Sequence, residues 1–142
     1  MIVYDVMNRH VVTVSPAESA RQAAKLMFRY NIGSVPAVDG NGRLRGIVTD
    51  RDILLRCIAA DGDPDETPVG EIMTRSILTA APDTQIPEAA RRMSVGQVRR
   101  LPVVEGGRLV GMLALADIAR ARPVAMEAGA ALSEISAGVV RK

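Results

Sequence analysis

Tryptophan is absent from the 142 residues, and the aromatic side chains are Tyr4, Phe28 and Tyr30 alone. Proteins that track single-stranded nucleic acid stack its bases on aromatic platforms, so the composition argues against that class. One cysteine, Cys57, rules out an internal disulfide. A catalytic thiol would need a basic partner, and the one histidine, His10, lies in a preceding strand region. Cys57 therefore reads as a small packed residue. A single histidine without cysteine or carboxylate partners at ligand spacing argues against a metal site. No apolar run approaches the roughly 20 residues of a membrane helix. The opening MIVYDVMNRH lacks a basic segment followed by an apolar one, so no secretory signal is read there. With one cysteine, the expectation is a reducing cytoplasm. No nucleophile–base pair and no Walker-type loop occurs, and an enzyme is not expected. The net charge is only +2 but uneven: residues 1–66 carry 8 basic and 9 acidic side chains, residues 67–142 carry 10 and 7. The second half is thus mildly cationic, which suits a small anionic ligand.

What the chain has is a duplication. Shifted by 66 residues, Met7 falls on Met73, Arg9 on Arg75, Thr13 on Thr79, Pro16 on Pro82, Met27 on Met93 and Pro36 on Pro102. After a one-residue deletion in the second turn, Gly42-Arg43-Leu44 falls on Gly107-Arg108-Leu109, Gly46 on Gly111 and Asp52-Ile53 on Asp117-Ile118. Two equivalent half-folds about a pseudo-twofold axis are expected, with paired clefts. A 66-residue half would bury only a thin core alone, so one shared core is expected.

Each copy reads as strand, helix, strand, turn, strand, helix. Val11-Val12-Thr13-Val14 is a β-branched run stopped by Ser15-Pro16. Ala20, Ala23, Ala24, Met27 and Phe28 recur at helical spacing, and Ser19 with Gln22 makes a capping-box pattern. Val35 to Val38, a turn at Asp39 to Gly42, and Leu44 to Val48 make a hairpin, followed by a helix over 51–60. The second copy repeats this with Ile77 to Thr79, a helix over 86–95, strands over 101–104 and 109–113, and a helix starting near Ala116. The boundaries read as 1–60 for the first repeat, 61–68 for an acidic linker (DGDPDETP), 69–121 for the second repeat and 122–142 for a tail with a short helix around 126–132.

The chemically loaded stretch is Gly46-Ile47-Val48-Thr49-Asp50-Arg51-Asp52. A strand ends where a helix opens, and free N–H groups at a helix start suit a phosphate. Thr49 can add a hydroxyl and Arg51 a guanidinium, while the Asp52 carboxylate can accept two hydrogen bonds from a vicinal diol such as ribose. Thr-x-x-Asp is equally an ordinary capping box, and both readings stand. In the second copy Thr49 becomes Ala114 and Arg51 becomes Ala116, while Asp117 keeps the carboxylate. One equipped and one degenerate cleft is the expectation.

At this point the chain resembles a tandem pair of CBS domains, the regulatory Bateman module, over residues 1–121. The marks are Asp5-Val6-Met7 and Glu71-Ile72-Met73, the Thr-x-x-Pro segments at Thr13 and Thr79, Val-Pro-Ala-Val and Leu-Pro-Val-Val, and Gly-x-x-Thr-x-x-Asp. Among such pairs it is similar to small stand-alone bacterial proteins tied to stress and hypoxic responses. The resemblance implies an α/β (α+β) fold of two β-α-β-β-α units. It implies that an adenosine ligand (AMP, ADP, ATP or S-adenosylmethionine) is a regulatory ligand in a cleft between the copies, with no cofactor required. Carried over, Asp52 takes ribose, Thr49 and Arg51 take phosphate, and Thr79 lines the base pocket. Arg99 and Arg100 either point toward phosphates or form a solvated pair at a strand start. Thr13, Ala114 and Asp117 belong to the second, degenerate cleft. The implied assembly is a homodimer that passes a conformational signal to an unidentified effector protein, with no nucleic acid and no membrane partner. The other reading is a structural or interaction dimer without nucleotide.

Overall fold

The computed structural model describes residues 1–121; the expected tail helix lies outside them. The fold is mixed helix and strand, as the resemblance implies. The described residues form two compact units, one of residues 12–77 and one of residues 1–11 with residues 78–121. The compact units are therefore not cut where the repeats are. The lead-in to each repeat belongs to the unit built on the other repeat.

In the unit of residues 12–77, α1 (Ala20–Tyr30) is followed by the hairpin β1 (Ser34–Val38) and β2 (Leu44–Thr49). Then come α2 (Asp50–Ile53), a π-helical stretch Leu54–Ile58, and α3 (Val69–Ile72). The other unit starts with a 3-10 turn, Val3–Asp5. It continues with α4 (Ile86–Gly96), the hairpin β3 (Arg100–Glu105) and β4 (Arg108–Ala114), and α5 (Leu115–Arg120).

The capping pattern holds at α1: the Ser19 hydroxyl accepts from the Gln22 N–H at 3.1 Å. Pro87 sits in the first turn of α4, where a missing N–H costs nothing. Both long helices stop the same way. Asn31 and Gln97 take left-handed backbone at φ 52° and 53°. The next residues, Ile32 and Val98, then donate back to the Met27 and Met93 carbonyls at 3.0 Å each, the closing bond of a Schellman-type end.

Both hairpins are antiparallel with a shift of register at equivalent points, Ala37/Val38 and Val103/Val104. The first strand expected in each copy shrinks to one parallel bridge, Val14 to Ala37 and Ala80 to Val103. Proline explains the pinch. Val14 N–H donates to Pro36 O and Val38 N–H to Val14 O, at 3.0 and 2.9 Å. Extending the ladder backward would need an N–H from Pro36, and extending it forward would need one from Pro16. Neither exists. Pro102 and Pro82 stop the second copy identically around Ala80.

The far edge of each hairpin takes one antiparallel bridge from the exchanged lead-in, Ile47 to Thr74 and Met112 to Asn8. A glycine lies beneath each crossing. A Cβ at Gly46 would come within 2.7 Å of the Thr74 carbonyl, and one at Gly111 within 3.0 Å of the Asn8 carbonyl.

The acidic linker is not loose. Ala20 and Arg21 N–H donate to the Thr67 and Pro64 carbonyls at 2.8 and 3.0 Å, and Arg21 pairs with Asp65.

The buried apolar residues fall in two clusters, one per unit, instead of the single shared core that the length suggested. The first joins Val14, Ala23, Met27, Val35, Val48 and Cys57 to Val69 and Ile72 of α3. The second joins Ile86, Met93, Leu101, Leu113 and Ile118 to Val3 of the amino-terminal turn. The exchanged lead-in helix thickens each core, and this lets so short a half exclude water from its centre. Cys57 is buried and free. Among the described residues no helix is long and apolar enough to cross a membrane, and no group of three or more His, Cys, Asp or Glu could hold a metal ion.

Candidate functional site

The site in residues 12–77 is built where β2 turns into α2. Thr49 is the N-cap, in extended backbone (φ −111°, ψ 163°). Its hydroxyl accepts from the Asp52 N–H at 3.0 Å, and its own N–H donates to Asp52 Oδ2 at 3.0 Å. The capping box read in the sequence is therefore formed in full. Among the described residues Asp52 is the one buried charged residue, 8% exposed. Such a carboxylate needs donors, and two of its neighbours supply them. The Thr74 hydroxyl lies 3.3 Å from both Oδ1 and Oδ2, and Arg56 Nε lies 3.8 Å from Oδ1. Arg56 also reaches the Ile72 carbonyl with Nη1 at 3.1 Å, tying the π-helical stretch to α3. Neither Thr74 nor Arg56 was read as a site residue. Thr74 is 22 residues from Asp52, and nothing in local spacing marks such a pair.

The expected helix over 51–60 is α-helical only to Ile53 and then widens. Ala59 N–H donates to Leu54 O at 2.8 Å, a bond across five residues. Such wide turns recur at functional sites. Here the wide turn carries Arg56 beside α3 and leaves Leu54, Leu55 and Ile58 exposed.

Arg51 is exposed in the first turn of α2. Asp50 turns its carboxylate over Gly33, where an added Cβ would stand 3.2 Å from Oδ2; its N–H holds the Gly33 carbonyl at 2.9 Å. Thr13 is exposed beside the Val14 bridge.

The equivalent junction in the other unit is plainer. Ala114 has no hydroxyl, so only half the box remains: Ala114 N–H to Asp117 Oδ2 at 3.3 Å. Asp117 turns to Arg120 at 3.0 Å, and its side chain is 28% exposed against 10% for Asp52. Leu115, at the place of Asp50, is buried in the core, and its N–H holds the Arg99 carbonyl at 2.8 Å. Arg99 and Arg100 are exposed at the start of β3. Thr79 is half-buried, and its carbonyl accepts from Arg92 Nη1 at 2.8 Å. Arg92 also pairs with Glu88, whose carboxyl is held down to about 2 by the Arg91 guanidinium and then by that of Arg92. Glu88, Arg92 and Thr79 form a chain the first copy cannot make, because Gln22 and Leu26 stand at the equivalent positions.

So Thr49, Arg51 and Asp52 share one turn and the Thr74 hydroxyl reaches it from the crossing segment, while Thr79, Arg99, Arg100, Ala114 and Asp117 belong to the other unit. The model of the CBS domain matches residues 3–58 and again residues 69–124.

The chain belongs to the CBS-domain family.

It is 41% identical over 134 residues to the CBS domain-containing protein YhcV of Bacillus subtilis, covering 94% of each chain. It is 40% identical over 119 residues to Hypoxic response protein 1 of Mycobacterium tuberculosis, covering 84% of this chain and 83% of that one. Among solved structures, Hypoxic Response Protein I with two coordinated zinc ions superposes with a TM-score of 0.80 at 37% identity, over 87% of this chain and all of that one. The CBS domain pair of protein MJ0100 in complex with 5-methylthioadenosine and S-adenosyl-L-methionine gives 0.72 at 33% identity, over 84% and 94%. CBSX2 in complex with AMP gives 0.73 at 30%, over 84% and 93%. The tandem pair read from the 66-residue repeat, and the likeness to a hypoxic-response protein, are thus both present.

Proposed function

We propose that this CBS pair is a non-catalytic regulatory module that binds an adenine nucleotide through Thr49, Arg51 and Asp52. The observation that carries the reading is the asymmetry between equivalent junctions. Both keep an aspartate that caps the helix after the second strand of the hairpin, but only the first adds a hydroxyl and a guanidinium in the same turn. The shared fold does not need these additions, since α5 starts without them. The Thr49 hydroxyl accepts from Asp52 N–H, so its own O–H remains to donate to a phosphate. Arg51 is exposed and adds a bidentate cation. Asp52 offers a ribose diol its carboxylate. Support for an adenosine ligand comes from relatives of the same fold, one in complex with AMP and one with 5-methylthioadenosine and S-adenosyl-L-methionine. Ligand entry would then be reported to an effector protein by a change of conformation.

A thermal-shift screen with AMP, ADP, ATP and S-adenosylmethionine tests this. At least one adenosine ligand raises the melting temperature in a concentration-dependent way, and an unchanged melt with all of them at millimolar concentration contradicts the reading.

One observation favours the other reading, an interaction dimer without nucleotide: Asp52 already serves a complete capping box and the Thr74 hydroxyl. In either case a homodimer is proposed. In residues 12–77, Phe28 is 91% exposed, and Leu54, Leu55 and Ile58 stand out on the wide turn; in the other unit Val95 is 69% exposed. A second copy would withdraw such side chains from water at roughly 25 cal/mol per Å². Sedimentation at micromolar concentration should give twice the chain mass, and Leu55→Glu should shift it toward monomer. A parent that sediments only as monomer contradicts the dimer.

A further inference from the structure

We propose that the Thr74 hydroxyl is an internal occupant of the Asp52 carboxylate, seated where a ligand diol must go and displaced by it. The inference rests on the reading that Asp52 takes ribose. Thr49 N–H approaches one oxygen, Oδ2, at 3.0 Å. The Thr74 oxygen stands 3.3 Å from both oxygens, and a donor equidistant from the two straddles the carboxylate. That straddling edge is the one a vicinal diol needs to place one hydroxyl on each oxygen. Thr74 is held there by its backbone, since Thr74 N–H donates to Ile47 O at 2.8 Å and Ile47 N–H to Thr74 O at 2.9 Å. The backbone is therefore already ordered, and a turn of the Thr74 side chain alone brings the hydroxyl on or takes it off.

The other unit shows that this is not a by-product of the fold. Asn8 stands at the place of Thr74 and makes the same two backbone bonds, with Met112 at 2.8 and 2.9 Å. Its side-chain oxygen instead accepts from His10 N–H at 3.0 Å, and Asp117 pairs with Arg120. The same crossing of chain thus exists twice, and a hydroxyl straddles the carboxylate only at Asp52. Thr74 then acts as a positioning residue that sets how tightly a diol binds. It satisfies Asp52 when the site is empty and must yield when the site fills.

Calorimetric titration of AMP into the full chain and its variants tests this. Thr74→Ala keeps the backbone bridge but removes the hydroxyl, and should bind AMP about 3- to 10-fold more tightly than the parent, the worth of one displaced hydroxyl bond. Thr74→Val leaves a methyl group in the hydroxyl's place and should bind no more tightly than the parent, and Thr74→Ser should match the parent. A merely structural role for Thr74 predicts weaker or unchanged binding in the alanine variant, and that result overturns the proposal while leaving the nucleotide reading intact. If neither parent nor variants take AMP, ADP, ATP or S-adenosylmethionine at millimolar concentration, the nucleotide reading fails and this inference fails with it.

Discussion

Asp52→Ala should weaken AMP binding by about 30- to 1,000-fold, since the proposed ribose role gives this carboxylate two charge-assisted hydrogen bonds from the diol, together worth roughly 2–4 kcal/mol. The structure also sets what the substitution does to the fold. Asp52 Oδ2 is the acceptor for Thr49 N–H, and the carboxylate is the acceptor for Thr74. Losing the capping-box bond from Thr49 N–H costs about 1 kcal/mol, and leaving the half-buried Thr74 hydroxyl without its acceptor adds about 1 kcal/mol or more. The alanine variant should therefore fold but melt lower. Asp52→Asn separates the two roles. Asparagine keeps one side-chain oxygen, which at this third helical position can still accept from Thr49 N–H and close the capping box. It lacks the charge and the second acceptor oxygen, so the melt should stay close to the parent while AMP binding falls at least tenfold. Paired melting and AMP titration on these variants check it. An asparagine variant that binds as the parent does would make Asp52 a cap and nothing more.

Gly46→Ala lowers stability by about 3 kcal/mol, or roughly 10 °C in melting temperature for a chain of this size. The alanine Cβ would lie 2.7 Å from the Thr74 carbonyl and 2.9 Å from Met73 Sδ. A flexible thioether can move aside, but a carbonyl fixed by the Ile47 bridge cannot. The crossing segment must lift, and Met73 and Ile72 leave the core with it. Gly111→Ala meets the Asn8 carbonyl at 3.0 Å and Met7 Sδ at 2.8 Å, a slightly looser fit, and should cost somewhat less. Thermal or urea unfolding measures both. A Gly46→Ala variant as stable as the parent would mean that the lead-in is not clamped to the hairpin as described. Because Thr74 hangs on that same crossing, the Gly46 variant should also lose the Asp52–Thr74 contact.

The repeat register was legible because each pair of matched residues does the same physical job. Ser19 and Gln22 announced a cap, and Pro87 in the first turn of α4 fits the same helix start in the second copy. The two hairpins followed from β-branched runs around glycine turns. The prolines were visible too, but their consequence needed the pairing partner. Pro16 alone reads as the end of a strand. Only with Pro36 opposite does it become clear that the ladder is one bridge long. The exchange of lead-ins was not legible, since Val3 and Val69 look like the start of their own repeats. Their place shows only in the bridges Ile47 to Thr74 and Met112 to Asn8, and since both hairpin edges offer the same groups, no local signal marks which lead-in goes to which. The site was legible in its local part: Thr49 and Asp52 are three residues apart, and their reciprocal bonds follow from that spacing. Thr74 and Arg56 were missed because they reach Asp52 through the tertiary crossing and the wide turn, which no periodicity encodes. The sequence left two readings of Thr-x-x-Asp open, and the structure shows the capping box formed, so the ligand role rests on what Asp52 can do in addition.

Counting AMP sites per chain addresses that point most directly. Isothermal titration of the full protein should give one site per chain, in the micromolar to millimolar range, and Asp52→Asn should weaken it at least tenfold while Asp117→Asn leaves it unchanged. Two equal sites per chain, or a single site lost with Asp117 and kept without the Asp52 charge, would contradict the assignment of the ligand to the Thr49–Asp52 turn.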